Sequence, residues 1–287
     1  MKKITKGIYY LEDLGTPSII SMYLIDSKKK VLIESGPSAT VSQLIQAIVS
    51  AGFRPSEIDH IVVTHIHLDH AGGASLLLQA MPNADVLVSK KGAPHLIEPS
   101  RLRASAKSAL GPIFEIWGGI EATNSSRIHT VEDGMSLDLG DHVLQFLSTP
   151  GHAPHHISIL EESSRVLFTG DAVGIYYNDL DALIPASPPP SFDVELALQS
   201  LNRLSETNPQ VLLTPHYGIQ DNPSIFLKRN LETYARWKEI VNSNLEKGSD
   251  LDFIIEDLCQ AYPSYRTLVN DVYRGTLFRM DIKGYLK

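Results

Sequence analysis

A single cysteine, Cys259, in 287 residues excludes an intramolecular disulfide and any metal site built from several thiolates. Long apolar runs are missing too. Nothing approaches the roughly 18 consecutive apolar residues of a membrane helix. The opening Met1-Lys2-Lys3-Ile4-Thr5-Lys6-Gly7 has the charge of a signal peptide but not the apolar stretch that would follow it. Basic residues are in deficit, with 25 Lys and Arg against 33 Asp and Glu. The formal net charge of -8 opposes docking on a phosphate backbone. There is no close repeat or low-complexity tract, and Pro188-Pro189-Pro190 makes only a stiff local turn. What remains, 43% hydrophobic and 20% charged, is an ordinary globular composition. A chain this long buries a large core without staples. The expectation is a cytoplasmic protein with a small-molecule substrate and no nucleic-acid or membrane partner.

The first third reads as strands followed by helices. Residues 18–25 and 30–33 are β-rich runs around the polar turn Asp26-Ser27-Lys28-Lys29, a hairpin signal. Val41, Leu44, Ile45, Ile48 and Val49 have helical spacing over residues 38–51, with Ser38 as expected N-cap and Gly52 as stop. Ile61-Val62-Val63 suits a strand buried on both faces, and residues 84–88 suit the next. From 92 to 126 Pro94, Pro99 and Pro112 loosen the pattern. A helix over 101–117, broken near Gly111-Pro112, reads as an insertion over the face where the loops gather. A second series of strands follows over 127–130, 135–139, 142–147, 156–160 and 165–168. A helix over 191–204 with Asp193 near its start and a buried strand over 211–213 come next. Beyond residue 225 the pattern is helical, in three segments broken near Gly248 and Pro263. Two strand-rich halves imply two sheets with helices outside. The expected division is a catalytic domain over 1–220 and a helical extension over 221–287 packed on it. Tyr234, Trp237, Tyr262, Tyr265 and Tyr273 suit that packing or, alternatively, a homodimer face.

Four strand ends present His or Asp. His65-Ile66-His67-Leu68-Asp69-His70 follows the strand through Ile61-Val62-Val63, His152 follows the run ending at Leu147, Asp171 follows Phe168, and His216 follows Leu213. Functional groups gather on loops at one edge of a rigid sheet. In an extended segment residues 65 and 67 point to one side, and Asp69 with His70 turns toward a second position. Each pair needs a third ligand to hold a zinc-like ion. One histidine would be read as a solvated or core residue. Three imidazoles and a carboxylate within six residues, between a buried strand and a helix, call for metal instead, because their polar atoms need partners. His155 and His156 lie close enough to His152 to compete with it. His60, His129 and His142 have no partner pattern and read as ordinary core or surface residues.

These motifs, in this order over residues 7–218, resemble the metallo-β-lactamase superfamily, and specifically a branch similar to the hydroxyacylglutathione hydrolases. The resemblance implies an α/β fold, the four-layer αββα sandwich, with the site at one edge of its sheets. It implies that His65, His67 and His152 bind one metal, that Asp69, His70 and His216 bind another, and that Asp171 bridges them. A hydroxide between the ions would be the nucleophile, with Asp69 orienting it. His156 would stand behind the ligands. Zinc suits the histidine-rich set best, and iron or manganese accept the same mixture.

The departures bear on substrate. Glu34-Ser35-Gly36 stands where the family has Asp-x-Gly, leaving Glu34 for the supporting role. His67 replaces the Glu of the flavodiiron-type redox branch, which favours hydrolysis. After Asp171 comes Ala172-Val173-Gly174-Ile175-Tyr176-Tyr177, not the glycine-arginine continuation of the glutathione branch, so glutathione specificity does not transfer. Tyr176 or Tyr177 is then a phenolic donor to substrate, and His95 a pocket residue from the insertion. The leading expectation is hydrolysis of a small ester, thioester or lactone. The alternatives are a small-substrate phosphodiesterase or phosphotriesterase, and a diiron redox or oxygen-binding protein.

Overall fold

The β-branched runs pair into two sheets in the computed structural model, which describes residues 1–14 and 20–286. Among the described residues the first sheet has seven strands in the order β1 (Lys2–Thr5), β2 (Ile8–Leu14), β3 (Ile20–Ile25), β4 (Lys30–Ile33), β5 (Ile58–Val62), β6 (Asp85–Ser89) and β7 (Ile128–Val131). The pairs from β1 to β4 are antiparallel, and those from β4 to β7 are parallel. The second sheet contains β8 (Ser136–Asp138), β9 (Val143–Ser148), β10 (Ile157–Glu161), β11 (Val166–Phe168), β14 (Val211–Thr214) and β15 (Gly218–Gln220). A separate hairpin is formed by β12 (Ile175–Tyr177) and β13 (Ala182–Ile184).

Strand alternation assigns the layers. Val62, Leu87, Phe146, Ile159, Phe168 and Leu213 point into the core between the sheets. Their neighbours Ile61, Val86 and Val88 face the opposite side of the first sheet, and Leu147, Leu160, Leu167 and Leu212 that of the second. On the first outer face lie α1 (Val41–Ser50), α3 (Ala74–Ala80) and the insertion. The insertion carries α4 (Ala93–Ile97), α5 (Ser100–Leu110) and α6 (Ile113–Trp117); the short α2 (Leu68–Ala71) precedes α3. On the second outer face pack α7 (Val194–Glu206), α8 (Pro223–Glu246), α9 (Leu251–Ala261), α10 (Tyr265–Asn270) and α11 (Val272–Tyr285). The chain is therefore an αββα sandwich. The helical extension shares the second outer core, where Tyr234, Trp237 and Tyr265 are buried. Tyr273 packs at the edge of the first core instead.

Several expectations need correcting. The strand after the insertion, β7, belongs to the first sheet, where it pairs in parallel with β6, because the insertion supplies a crossover connection. Ser38 does not cap α1. It opens a short 3-10 turn over Ser38–Thr40, and its hydroxyl donates to the Trp117 carbonyl at 3.4 Å. The extension has four helices, since Asp271 ends α10 and caps α11 by accepting from the N–H groups of Tyr273 and Arg274. Strands β1, β2, β12, β13 and β15 are additions to the expected set. Residues 18 and 19 of the expected strand 18–25 lie outside the described residues. Among the described residues no helix is long and apolar enough to cross a membrane.

Hydrogen bonds join the sheets at the functional edge, among them Ile157 N–H donating to Thr64 O at 2.9 Å, Ser21 N–H to Pro215 O at 2.6 Å and Tyr23 Oη–H to Thr214 O at 2.6 Å. Gly151, at φ +138°, turns the chain there, and a Cβ would collide with the backbone of Ala197. Gly151→Ala is expected to destabilise the protein by about 2–4 kcal/mol, measurable as a lowered thermal midpoint with the metal-free protein.

Candidate metal centre

β5 runs into Thr64 and His65, and the next turn places His67 at the start of α2, which carries Asp69 and His70. The β9–β10 connection supplies His152. A single 3-10 turn after β11 supplies Asp171, and the turn after β14 supplies His216. Rigid sheet edges thus deliver all seven side chains to one place.

Nε2 of His65, Nδ1 of His67 and Nε2 of His152 stand 2.9–3.1 Å from one another. Three ring nitrogens at mutual contact cannot all be satisfied by shared protons. Burial, followed by neighbouring histidines for His65, holds His65 well below the ordinary histidine range. Burial does the same to His152 against the pull of Asp171, so both present lone pairs. A tetrahedral ion with nitrogens at about 2.0–2.1 Å would space them at about 3.3 Å. The triad fits a cation.

A second group gathers opposite. Oδ2 of Asp69 is 3.6 Å from His70 Nε2 and 3.7 Å from His216 Nε2. Asp171 stands between the groups. Its Oδ2 is 3.5 Å from Nε2 of both His152 and His70 and 3.9 Å from His65, while Oδ1 is 3.5 Å from His216 Nε2. These separations are long for direct hydrogen bonds and suit ligands around an ion. Among the described residues, His70 Nε2 and Asp171 Oδ1 are buried without a hydrogen bond, an expensive state unless a ligand answers them.

Burial drives the Asp171 carboxyl upward, but His70, His216 and His152 together hold it well below the usual carboxylate range. Burial opposes protonation of His70, yet Asp171, Asp69 and Glu34 raise it well above its ordinary value. His216 is raised against burial chiefly by Asp171. Protons and divalent cations compete for the ring nitrogens of His70 and His216, so metal uptake there releases protons.

Glu34 holds the ligands in orientation. Its Oε1 faces His70 Nδ1 at 3.1 Å and accepts the Thr64 hydroxyl at 2.5 Å, while Oε2 accepts Thr64 N–H at 3.2 Å. Since that hydroxyl donates to Glu34, Thr64 Oγ1 can accept from His65 Nδ1, 3.0 Å away. One carboxylate thereby fixes both rings with Nε2 toward the centre. Glu34 sits at φ +68°, where alanine would bear comparable strain. Glu34→Ala is therefore a test of the carboxylate alone. It should lower metal affinity about 10–100-fold, as read by chelator competition.

His156 is a supporting residue by geometry. Its Nε2 accepts Asp171 N–H at 2.8 Å, which fixes the proton on Nδ1, 2.8 Å from Thr149 Oγ1. Burial pushes it down to about 3, keeping this acceptor neutral. His155 lies outside both triads, its ring 6.2 and 6.0 Å from those of His65 and His67. His95 is exposed on α4, 6.5 Å ring to ring from His155. The structure does not bring Tyr176 into the cluster: its hydroxyl donates to Asp181 at 2.9 Å, and its ring lies beneath Arg229. Tyr177 is buried against Tyr217, the residue after His216, and beside Arg274. Thr64 and the Ala186 carbonyl, 2.9 Å from His152 Nδ1, are supports that the sequence does not single out. A backbone carbonyl leaves no residue-type signal.

A two-sheet sandwich with histidines and carboxylates converging at one edge defines a metal-binding α/β class. The family model described as the Metallo-beta-lactamase superfamily matches residues 15–216, and the chain belongs to that superfamily. It is 33% identical over 237 residues, 81% of this chain and 84% of the relative, to a metallo-beta-lactamase fold-containing protein of Sulfurisphaera tokodaii. The crystal structure of an archaeal metallo-beta-lactamase superfamily protein from Sulfolobus tokodaii superposes with a TM-score of 0.73 at 27% identity, covering 98% of each chain. An N-acyl homoserine lactonase of Bacillus cereus is 29% identical over 194 residues, 66% of this chain and 63% of the relative.

Proposed function

We propose that this chain is a hydrolase that holds two divalent ions, with zinc the best match, and cleaves a small ester, thioester or lactone. The observation carrying the proposal is Asp171, whose carboxylate faces both ligand groups: Oδ2 lies 3.5 Å from His152 of one group and from His70 of the other, and Oδ1 lies 3.5 Å from His216. Metal held there would supply an activated water as a nucleophile at neutral pH. His65, His67 and His152 would hold one ion, Asp69, His70 and His216 the other, with Asp171 shared. Asp69 is the candidate to accept the water's proton at its carboxylate. The N-acyl homoserine lactonase among the relatives supports a strained or activated carbonyl as substrate.

The test is a substrate panel on protein of measured metal content, comparing aryl esters, thioesters, lactones and bis-aryl phosphates. Carbonyl turnover that disappears on chelation and returns with zinc is the expected result. Faster phosphodiester turnover would reassign the substrate class. Full activity without metal, or dioxygen consumption by iron-loaded protein without hydrolysis, would overturn the proposal.

A further inference from the structure

His152 receives its orientation from a segment that has no metal ligand of its own. The Ala186 carbonyl, 2.9 Å from His152 Nδ1, accepts the ring N–H and leaves Nε2 for the first triad. That carbonyl belongs to the peptide unit whose other end is the Ser187 N–H. The N–H donates to Oδ1 of Asp281, on α11, at 2.8 Å. Ser187 Oγ–H donates to the Asp281 carbonyl at 3.0 Å. One residue earlier, Ala186 N–H donates to Tyr234 Oη, on α8, at 3.0 Å. A peptide unit is planar, so a rotation that freed the N–H from Asp281 would swing the carbonyl away from His152.

We infer that the C-terminal helices position a metal ligand: Asp281, with Tyr234, holds the Ala186–Ser187 peptide whose carbonyl orients His152. This deepens the metal-centre reading and rests on it.

Three further features support it. Asp281 is buried, and burial pushes its carboxyl well above the usual carboxylate range while the Ser187 N–H works against the rise. A neutral buried acid accepting one backbone N–H is an arrangement that asparagine can reproduce. α11 comes so close to this peptide that a Cβ on Gly284 would overlap the Ser187 carbonyl, so glycine is required there for reach. α8 also holds the chain leaving the other side of the site, where Gly174 N–H donates to Asn230 Oδ1 at 2.7 Å, three residues beyond Asp171. A hydrogen bond at the N–H end polarises the carbonyl at the other, strengthening its hold on the imidazole. Asp281 and Tyr234 are thus positioning residues acting through a peptide.

The test titrates metal-free full-length protein with zinc against a chromophoric chelator and records the cobalt(II) spectrum. Asp281→Leu is expected to weaken one of two binding events about 10–100-fold, leave the other at wild-type affinity, and shift the cobalt absorption. Asp281→Asn keeps the acceptor and should restore both readouts. Metal-free melting temperatures serve as the control for a purely structural role, which would lower stability without separating the two binding events. Should Asp281→Leu fail to fold, Tyr234→Phe deletes one acceptor at constant shape and should weaken the same event several-fold. Wild-type affinities and spectrum in folded Asp281→Leu, or in Tyr234→Phe if that variant carries the test, overturn the inference. A wild-type protein that takes up no metal overturns the metal-centre reading itself.

Discussion

Asp171→Ala is expected to reduce kcat/KM by at least about 10³-fold, about 4 kcal/mol of transition-state stabilisation, and to lower metal content below that of wild type. The size follows from position. Asp171 is the side chain facing both triads, with His65, His70 and His152 near Oδ2 and His216 near Oδ1. Removing it leaves two sets of imidazoles without the carboxylate that answers them, so both candidate ions lose a ligand. Elemental analysis of dialysed protein and steady-state kinetics on the same sample give the two readings. A variant with full metal content and full turnover would show that Asp171 is not shared. Asp171→Asn is the companion. It keeps the shape and one acceptor oxygen, removes the charge, and should fall between alanine and wild type in metal content.

Trp237→Ala should have the largest effect on stability, about 3–5 kcal/mol. The indole is fully buried, with ring centroids 5.9, 5.4 and 5.8 Å from Tyr265, Phe278 and Tyr285, and its Nε1–H donates to Tyr265 Oη at 3.2 Å. Truncation opens a cavity where α8, α10 and α11 meet and leaves that hydroxyl without its donor. A midpoint lowered by roughly 10 °C in thermal melts of metal-free protein would match. A shift below about 2 °C would mean that the extension contributes little to the cooperative unit.

The sequence carried the centre better than its supports, for physical reasons. His65 to His70, His152, Asp171 and His216 were readable because ligand chemistry restricts residue type and strand ends restrict position. The apolar run Ile61-Val62-Val63 marked two-sided burial, which the cores on either side of the first sheet display. Glu34 was visible only as a departure, since its hold on Thr64 and His70 depends on a backbone at φ +68°. Tyr176 read as a substrate donor because phenols often are. What claims it is Asp181, five residues away across a hairpin whose strands are only three residues each, too short to show a period. Asp281 carried no signal and Tyr234 read only as a packing or dimer-face residue, for their hydrogen-bond partners are backbone groups far off in sequence. The placement of β7 beside β6 likewise depends on the path of the insertion, not on the content of either strand.

The bond from Tyr23 to Thr214, two residues before His216, ties the beginning of the first sheet to the last strand end that supplies a ligand. During synthesis, His65 to His70 therefore emerge long before His216, by roughly 10–30 s at ordinary elongation rates. For most of that interval the first histidines exist without Asp171, and throughout it without His216 or a complete second sheet. A nascent chain could not hold metal as the finished one would, which makes metal acquisition a late event. Cells short of metal would then accumulate a chain whose sandwich has closed around an empty edge, rather than one arrested halfway through folding.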